Sequence, residues 1–201
     1  MNRIRIPIKA YILGLLPQSA GTGTGGPRTQ RTGQQLPALA SGLAGPSFWT
    51  RPEINQAFAE ANRIWTREAE IEFSPVVISE RSEMVPPDEN GMWAHFINHL
   101  TPQTRGIAVG FVHDLPSHEG GWGGGRIAVV SGQKARSGLP EFPGNLLAHE
   151  LGHVLIDDPN HAYAGNVPSN LMYGRRHPRI VNAGMLNQRQ VQLARQRALS
   201  I

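Results

Sequence analysis

The 201-residue chain contains no cysteine. This absence excludes disulfide bonds, thiolate metal sites and a cysteine nucleophile, but it does not identify the compartment, because exported proteins can also lack cysteine. A domain of this size can bury about 70% of the surface that its unfolded chain exposes, so it needs no cross-links to hold a core. No apolar run approaches the ~18 residues that a membrane-spanning helix requires, and we therefore expect no membrane span.

Lysine is nearly absent as well, since 17 of the 19 basic residues are arginine and the net charge is +4. Such a bias can indicate contact with nucleic acid. The segment after residue 174 has no acidic residue and carries six arginines: Arg175, Arg176, Arg179, Arg189, Arg195 and Arg197. No nucleic-acid-binding motif accompanies them, so we expect a solvated helix face and no nucleic-acid partner.

Apolar patterning predicts strands in four segments, at 4–13, 71–78, 107–112 and 126–131. At the N-terminus the alternation favours a strand over a secretory signal, because the apolar stretch is short and no good cleavage site follows it. Two glycine-rich segments, 17–46 and 120–125, are expected to be flexible.

Capping residues predict four helices. Thr50 and Glu53 match a capping box ahead of apolar residues at helical spacing, which predicts a helix of about 18 residues. Asp88 and Asn145 are candidate caps of two further helices, the second ending at residue 156, and Asn187 is expected to cap the last helix. Helices interspersed with strands predict one α+β domain over 1–201.

One motif carries candidate chemistry: His149-Glu150-Leu151-Gly152-His153, within the helix that is expected to end at residue 156. Histidines four residues apart lie on one helix face, so both imidazoles can reach one metal ion while Glu150 activates a water. The alternative is a structural pair of buried histidines.

A hydrolytic zinc site needs a third protein ligand and one open position. No glutamate follows Glu150, which leaves Asp157, Asp158, His161 and His177 as candidates. The Asp-Pro-Asn sequence at 158–160 is typical of a turn that would carry His161 back toward the metal. We favour His161, with Asp157 or Asp158 as the alternatives.

These residues, together with Asn170-Leu171-Met172-Tyr173, resemble the metzincin clan of zinc metallopeptidases. The clan pattern H-E-x-x-H-x-x-G-x-x-H has its third histidine two residues earlier than His161. The resemblance implies a mixed twisted sheet, an N-terminal packing helix, a central zinc-binding helix and a small C-terminal lobe over 154–201 that ends in a helix. Met172 would lie in the Met-turn beneath the metal.

The same resemblance implies a monomeric zinc-dependent endopeptidase that cleaves peptide or protein substrates, with Glu150 activating a zinc-bound water. Tyr173 becomes a candidate for oxyanion support, because some metzincins use a tyrosine two residues after the methionine, although here the tyrosine follows Met172 directly. An extended peptide would lie along an edge strand formed by Ile127, Ala128 and Val129, with 120–125 as a mobile lip. The alternative function is a non-catalytic metal- or peptide-binding protein on this scaffold, against which the presence of Glu150 argues.

Two further groups of residues could bind a cation. The first is the pair His95 and His99, which we expect to be a solvated pair and not a metal site, because no glutamate lies between them and the apolar face of the helix is elsewhere. The second comprises His113, Asp114, His118 and Glu119, whose spacing predicts no particular ligand geometry.

Overall fold

The computed structural model describes residues 2–17, 49–85, 89–115, 120–136, 142–158, 160–161, 163, 167–173 and 184–201. Within them the chain forms five strands and five helices, which confirms the α+β class. In chain order these are β1 (Ile4–Pro17), α1 (Arg51–Ala69), β2 (Ile71–Val85), α2 (Glu89–Leu100), β3 (Ile107–Val112), β4 (Gly121–Gly124), β5 (Ile127–Ser131), α3 (Gly132–Arg136), α4 (Phe142–Ile156) and α5 (Gln188–Ala198). The expected flexible segment 17–46 lies outside the described residues, except for Pro17 at the end of β1.

The strands form one mixed sheet in the order β2-β1-β3-β5-β4. Strands β2, β1, β3 and β5 run parallel to one another, and β4 pairs antiparallel with β5. The prediction that β5 forms the edge is therefore wrong, because Ile127, Ala128 and Val129 lie between β3 and β4 and are at most 1% exposed. Strand β4 is the edge on this side of the sheet.

Both faces of the sheet are covered, as is usual for parallel strands. One hydrophobic cluster combines residues of α1, α4 and α5 with one face of the sheet, while a smaller cluster combines α2 with the other face. Side chains of strand β5 point alternately to the two faces: Ala128 and Val130 belong to the larger cluster, and Ile127 and Val129 to the smaller. The C-terminal helix thus shares the core that supports α4.

Two of the expected helix caps are confirmed. At the start of α1 the Glu53 amide donates to Thr50 Oγ1, and the Thr50 amide donates to Glu53 Oε2 at 2.7 Å. At the start of α5 Asn187 forms the same kind of reciprocal pair with Gln190. Such boxes satisfy amides that have no partner within the helix, and they use only residues that are close in sequence.

Other helix predictions need correction. Helix α4 begins at Phe142, so Asn145 lies inside it and is not its cap. The earlier start is compatible with Pro143, because the first turn of a helix does not use its amides. In α2 Phe96 is buried, whereas its neighbour Ile97 is 43% exposed. Asp88 lies outside the described residues.

Helix α4 is held centrally by α1. Trp65 of α1 is fully buried, and its indole Nε1 donates a hydrogen bond to the Ala148 carbonyl oxygen at 3.0 Å. A buried indole N–H needs such an acceptor, so this contact fixes the two helices relative to each other. None of the helices in the described ranges is long and apolar enough to cross a membrane.

Candidate metal centre

Helix α4 and the loop after it supply three histidines to one site. His149 and His153, four residues apart, lie on the same face of α4 and are 5% and 7% exposed. The chain then leaves the helix at Asp157, which has a left-handed φ of 55°. Such a residue commonly ends a helix and reverses the chain direction. His161, which also has a left-handed φ of 58°, returns to face His149.

The Nε2 atoms of the three rings converge. His149 Nε2 lies 3.1 Å from His153 Nε2 and 3.1 Å from His161 Nε2. All three ligand atoms lie within 4.8 Å of one another. Tetrahedral zinc with Zn–N distances of about 2.0–2.1 Å would place neighbouring nitrogens roughly 3.3 Å apart. The group can therefore hold a metal ion.

Main-chain carbonyls determine which ring nitrogens face the site. His149 Nδ1 lies 2.8 Å from the Leu171 carbonyl oxygen, and His153 Nδ1 lies 2.6 Å from the Asp158 carbonyl oxygen. Because a carbonyl oxygen only accepts, each Nδ1 is the donor, and in the neutral ring the lone pair is then on Nε2. Two lone pairs at 3.1 Å repel each other, and a cation between them removes that repulsion. The donor set thus fits a divalent metal.

The two aspartates that were alternatives to His161 as the third ligand have other surroundings. Asp157 is exposed. Asp158 is 4% exposed, and its carboxylate accepts the Asn160 amide at 3.2 Å and the Tyr163 amide at 3.0 Å. Its two oxygens therefore face the loop backbone. His177, the remaining candidate, lies outside the described residues.

A tight turn at 170–173 supports His149 from the other side. The Tyr173 amide donates to the Asn170 carbonyl at 3.1 Å, and the Met172 amide donates to Asn170 Oδ1 at 2.8 Å. Met172 is fully buried, and its sulfur packs so closely on α4 that a Cβ atom on Gly152 would lie 2.2 Å from it. Tyr173 is half-buried, and its role in oxyanion support stays a prediction.

The 170–173 turn is fixed by α5 through a pair of buried amides. Asn170 Nδ2 donates to Gln190 Oε1 at 2.8 Å, and Gln190 Nε2 donates to Asn170 Oδ1 at 3.1 Å. The two side chains are 5% and 0% exposed. The same Gln190 completes the capping box of α5, so the start of that helix and the turn form one hydrogen-bonded unit. The two residues are twenty apart in sequence, and no local pattern predicts that they pair.

Strand β4 lies directly against the centre. A Cβ atom on Gly121 would lie 2.7 Å from Glu150 Cγ, and one on Gly123 would lie 2.1 Å from the Glu150 carbonyl oxygen and 2.7 Å from His153 Cβ. Only glycine allows a strand to approach a helix this closely. The expectation of a mobile lip at 120–125 is wrong, because Gly121–Gly124 form an ordered edge strand. Glu150 itself is 4% exposed.

The other predicted groups form no comparable site. His95 is half-buried and His99 is exposed, and their ring centroids lie 4.3 Å apart. Asp114 Oδ1 accepts the Leu115 amide and the Ser131 hydroxyl, while His118 and Glu119 lie outside the described residues. In the part of the chain that the structure describes, His149, His153 and His161 are the one group of three or more potential metal ligands.

Two of the described arginines of the C-terminal segment, Arg195 and Arg197, contact the protein itself. Arg195 donates to the Ala69 carbonyl at 2.7 Å and to Glu70 Oε2 at 2.9 Å, and Arg197 donates to the Gly125 carbonyl at 3.4 Å. Arg189 is exposed. Arg175, Arg176 and Arg179 lie outside the described residues.

Comparison with known proteins adds no assignment to this site. No protein-family model matches the sequence, and a search of curated proteins finds no match.

Proposed function

We propose that this protein is a zinc-dependent endopeptidase of metzincin type. The observation that carries the proposal is the convergence of His149, His153 and His161 through Nε2, with Glu150 next to the first of them in α4. A site that only binds metal has no need of this carboxylate, whereas a hydrolytic site needs a general base. The alternative, a non-catalytic binding protein, does not account for Glu150.

The donor set favours zinc. Three neutral imidazoles suit zinc, copper, iron or nickel, whereas magnesium and calcium prefer oxygen ligands. Three protein ligands also leave the open fourth position that catalytic zinc sites use. The carbonyl contacts of His149 and His153 further support a resident ion, because histidines that bind metals usually donate their second ring nitrogen in this way.

In the proposed mechanism Glu150 moves the proton. When bound, zinc supplies Lewis acidity, which makes water more acidic and polarises the scissile carbonyl. Glu150 accepts a proton at its carboxylate as the water attacks the carbonyl carbon. It then delivers the proton to the nitrogen of the leaving amine as the C–N bond breaks.

Strand β4 is the proposed docking edge for an extended peptide. In the described part of the sheet β4 pairs with β5 alone, so its other side offers main-chain donors and acceptors to an added strand. The contacts of Gly121 and Gly123 hold this edge against Glu150 and His153. A peptide added to β4 would lie beside the general base. We therefore propose β4 as the peptide-binding edge, in place of the strand formed by Ile127, Ala128 and Val129.

The experiment that tests the proposal is cleavage of unstructured peptides by the purified chain. We expect cleavage products that a chelator prevents and that stoichiometric zinc restores, with mass spectrometry locating the hydrolysed bonds. A chain that binds one zinc per molecule but cleaves no peptide would favour the non-catalytic alternative.

A further inference from the structure

We propose that Asp158 is a positioning residue of the metal centre, which holds His161 through its carboxylate and His153 through its main-chain carbonyl. The inference rests on the metal-binding part of the proposed function and not on peptide cleavage. It assigns to Asp158 a role different from that of a metal ligand.

The carboxylate closes the loop that carries His161. Asp158 is 4% exposed, and each of its oxygens accepts a different main-chain amide, Oδ1 from Asn160 and Oδ2 from Tyr163. A buried carboxylate requires such partners, and hydrogen bonds to an ionised acceptor are stronger than those between neutral groups. The two donors lie before and after His161 in sequence, so the carboxylate fixes the backbone on both sides of this histidine.

His161 needs this support because of its backbone conformation. Its φ is 58°, a left-handed value that side chains other than glycine adopt at a cost in free energy. Asp157 on the other side of Asp158 has a similar φ of 55°. The backbone preferences of these two residues therefore disfavour the loop conformation. Contacts such as those of Asp158 stabilise the conformation in which His161 Nε2 lies next to His149 Nε2.

The main chain of the same residue orients a second ligand. The Asp158 carbonyl oxygen lies 2.6 Å from His153 Nδ1, so this ring nitrogen is the donor and Nε2 is left for the metal. A displacement of Asp158 would thus move two of the three histidines. The loop is also tied to α5, because Asn187 Nδ2 donates to the Tyr163 carbonyl oxygen at 2.7 Å.

The test compares Asp158→Asn with Asp157→Asn. Both variants remove one negative charge next to the site, but only the first places an NH2 group opposite a main-chain amide that needs an acceptor. Asparagine also tolerates the left-handed conformation at position 157. We expect Asp158→Asn to weaken zinc binding by about 10- to 100-fold, measured by competition with a chelator, while Asp157→Asn binds nearly as the parent does. Equal affinities of the two variants would overturn the inference.

Cobalt(II) substitution separates positioning from ligation. The visible absorption of bound cobalt reports its ligands and geometry, so Asp158→Asn should keep the band positions of the parent if Asp158 only positions the histidines. Bands shifted to those of a different donor set would show that Asp158 is a ligand and would overturn the inference. This readout does not depend on peptide cleavage.

A measurement on the parent protein covers the case in which Asp158→Asn does not fold. In the metal-free parent we expect slow hydrogen exchange at the Asn160 and Tyr163 amides, since Asp158 accepts both. Exchange as fast as that of exposed amides would contradict the proposed contacts. A parent that binds zinc tightly without cleaving peptides refutes the peptidase, whereas an unchanged zinc affinity of Asp158→Asn refutes this inference.

Discussion

At the scale of single residues, two carbonyl oxygens determine the chemistry of the centre. Those of Leu171 and Asp158 accept from the Nδ1 atoms of His149 and His153, which leaves both Nε2 atoms as lone-pair donors in the neutral rings. A histidine pair that only packed in the core would not need its two Nε2 atoms 3.1 Å apart. The tautomers that these carbonyls favour and the convergence of the Nε2 atoms both fit a site that could hold a metal ion.

Replacement of Glu150 tests its role as general base. We expect Glu150→Ala to keep stoichiometric zinc, because Glu150 is not among the ligands, while peptide hydrolysis falls at least ~10²-fold, the usual cost of losing a general base. Single-turnover cleavage and metal analysis of the same sample provide the measurement. Cleavage at the parental rate would refute the proposed mechanism.

Met172 tests the packing beneath α4. Met172→Leu should lower the free energy of unfolding by less than ~1.5 kcal/mol, because the volume is conserved in a fully buried position. Met172→Asp should unfold the site, since it buries a charge without a partner against Gly152. Denaturant unfolding of both variants checks this. Equal stability of the Leu and Asp variants would contradict the buried position of the side chain.

At the scale of elements, α4 is enclosed by parts of the chain that are distant in sequence. Strand β4 presses its glycines against Glu150 and His153, and the 170–173 turn packs Met172 against Gly152. Hydrogen bonds between Asn170 and Gln190 connect this 170–173 turn to α5. Helix α4, which carries His149 and His153, is thus positioned by a sheet edge on one side and by the C-terminal helix on another.

Two alanine substitutions in β4 test its close approach to α4. At Gly123 the new Cβ would lie 2.1 Å from the Glu150 carbonyl oxygen, and neither backbone can yield easily. We expect Gly123→Ala to lower the free energy of unfolding by about 1–3 kcal/mol, the usual cost of overpacking. Gly124→Ala is the matched control, because its Cβ would meet only Trp93 Cζ2, at 3.4 Å. Thermal or denaturant unfolding measures both, and equal losses would contradict the described contact.

Local features of the fold were predictable from the sequence, and contacts across the fold were not. The caps at Thr50 and Asn187 depend on side chains that bond to amides three residues away, so they could be identified from spacing alone. Strand β4 could not, because a glycine run has no apolar periodicity and the strand is recognised only from its pairing with β5. The same applies to the pairing of Asn170 with Gln190, which only the folded chain brings together.

The candidate site likewise has one part that local spacing predicts and another that depends on the folded loop. The spacing of His149 and His153 identified a pair on one helix face, because helical periodicity is local. The sequence left Asp157, Asp158 and His161 open as third ligands, since the direction of a side chain in a loop depends on the loop backbone. The left-handed φ values of Asp157 and His161 turn His161 toward the other two histidines, while the Asp158 carboxylate bonds to the loop.

At the scale of the whole molecule, the centre connects the main core to the C-terminal segment. Ala194 and Ala198 of α5 and Leu171 of the turn lie in the same hydrophobic cluster as α1 and α4. A metal that binds only the folded chain stabilises the fold through mass action, so zinc binding and global stability should be coupled. Metal content therefore reports on the arrangement of the entire domain as well as on three side chains.

The most direct test of the three-histidine centre is the zinc content of the purified chain and of His161→Ala after mild chelation. We expect one zinc per chain in the parent and none in His161→Ala, because loss of a ligand weakens binding far more than the ~10- to 100-fold cost of losing a supporting contact. Asp157→Ala and Asp158→Ala should keep their zinc under the same conditions. A parent without zinc, or an Asp158→Ala variant that loses it while His161→Ala retains it, would contradict the assignment of His161 as the third ligand.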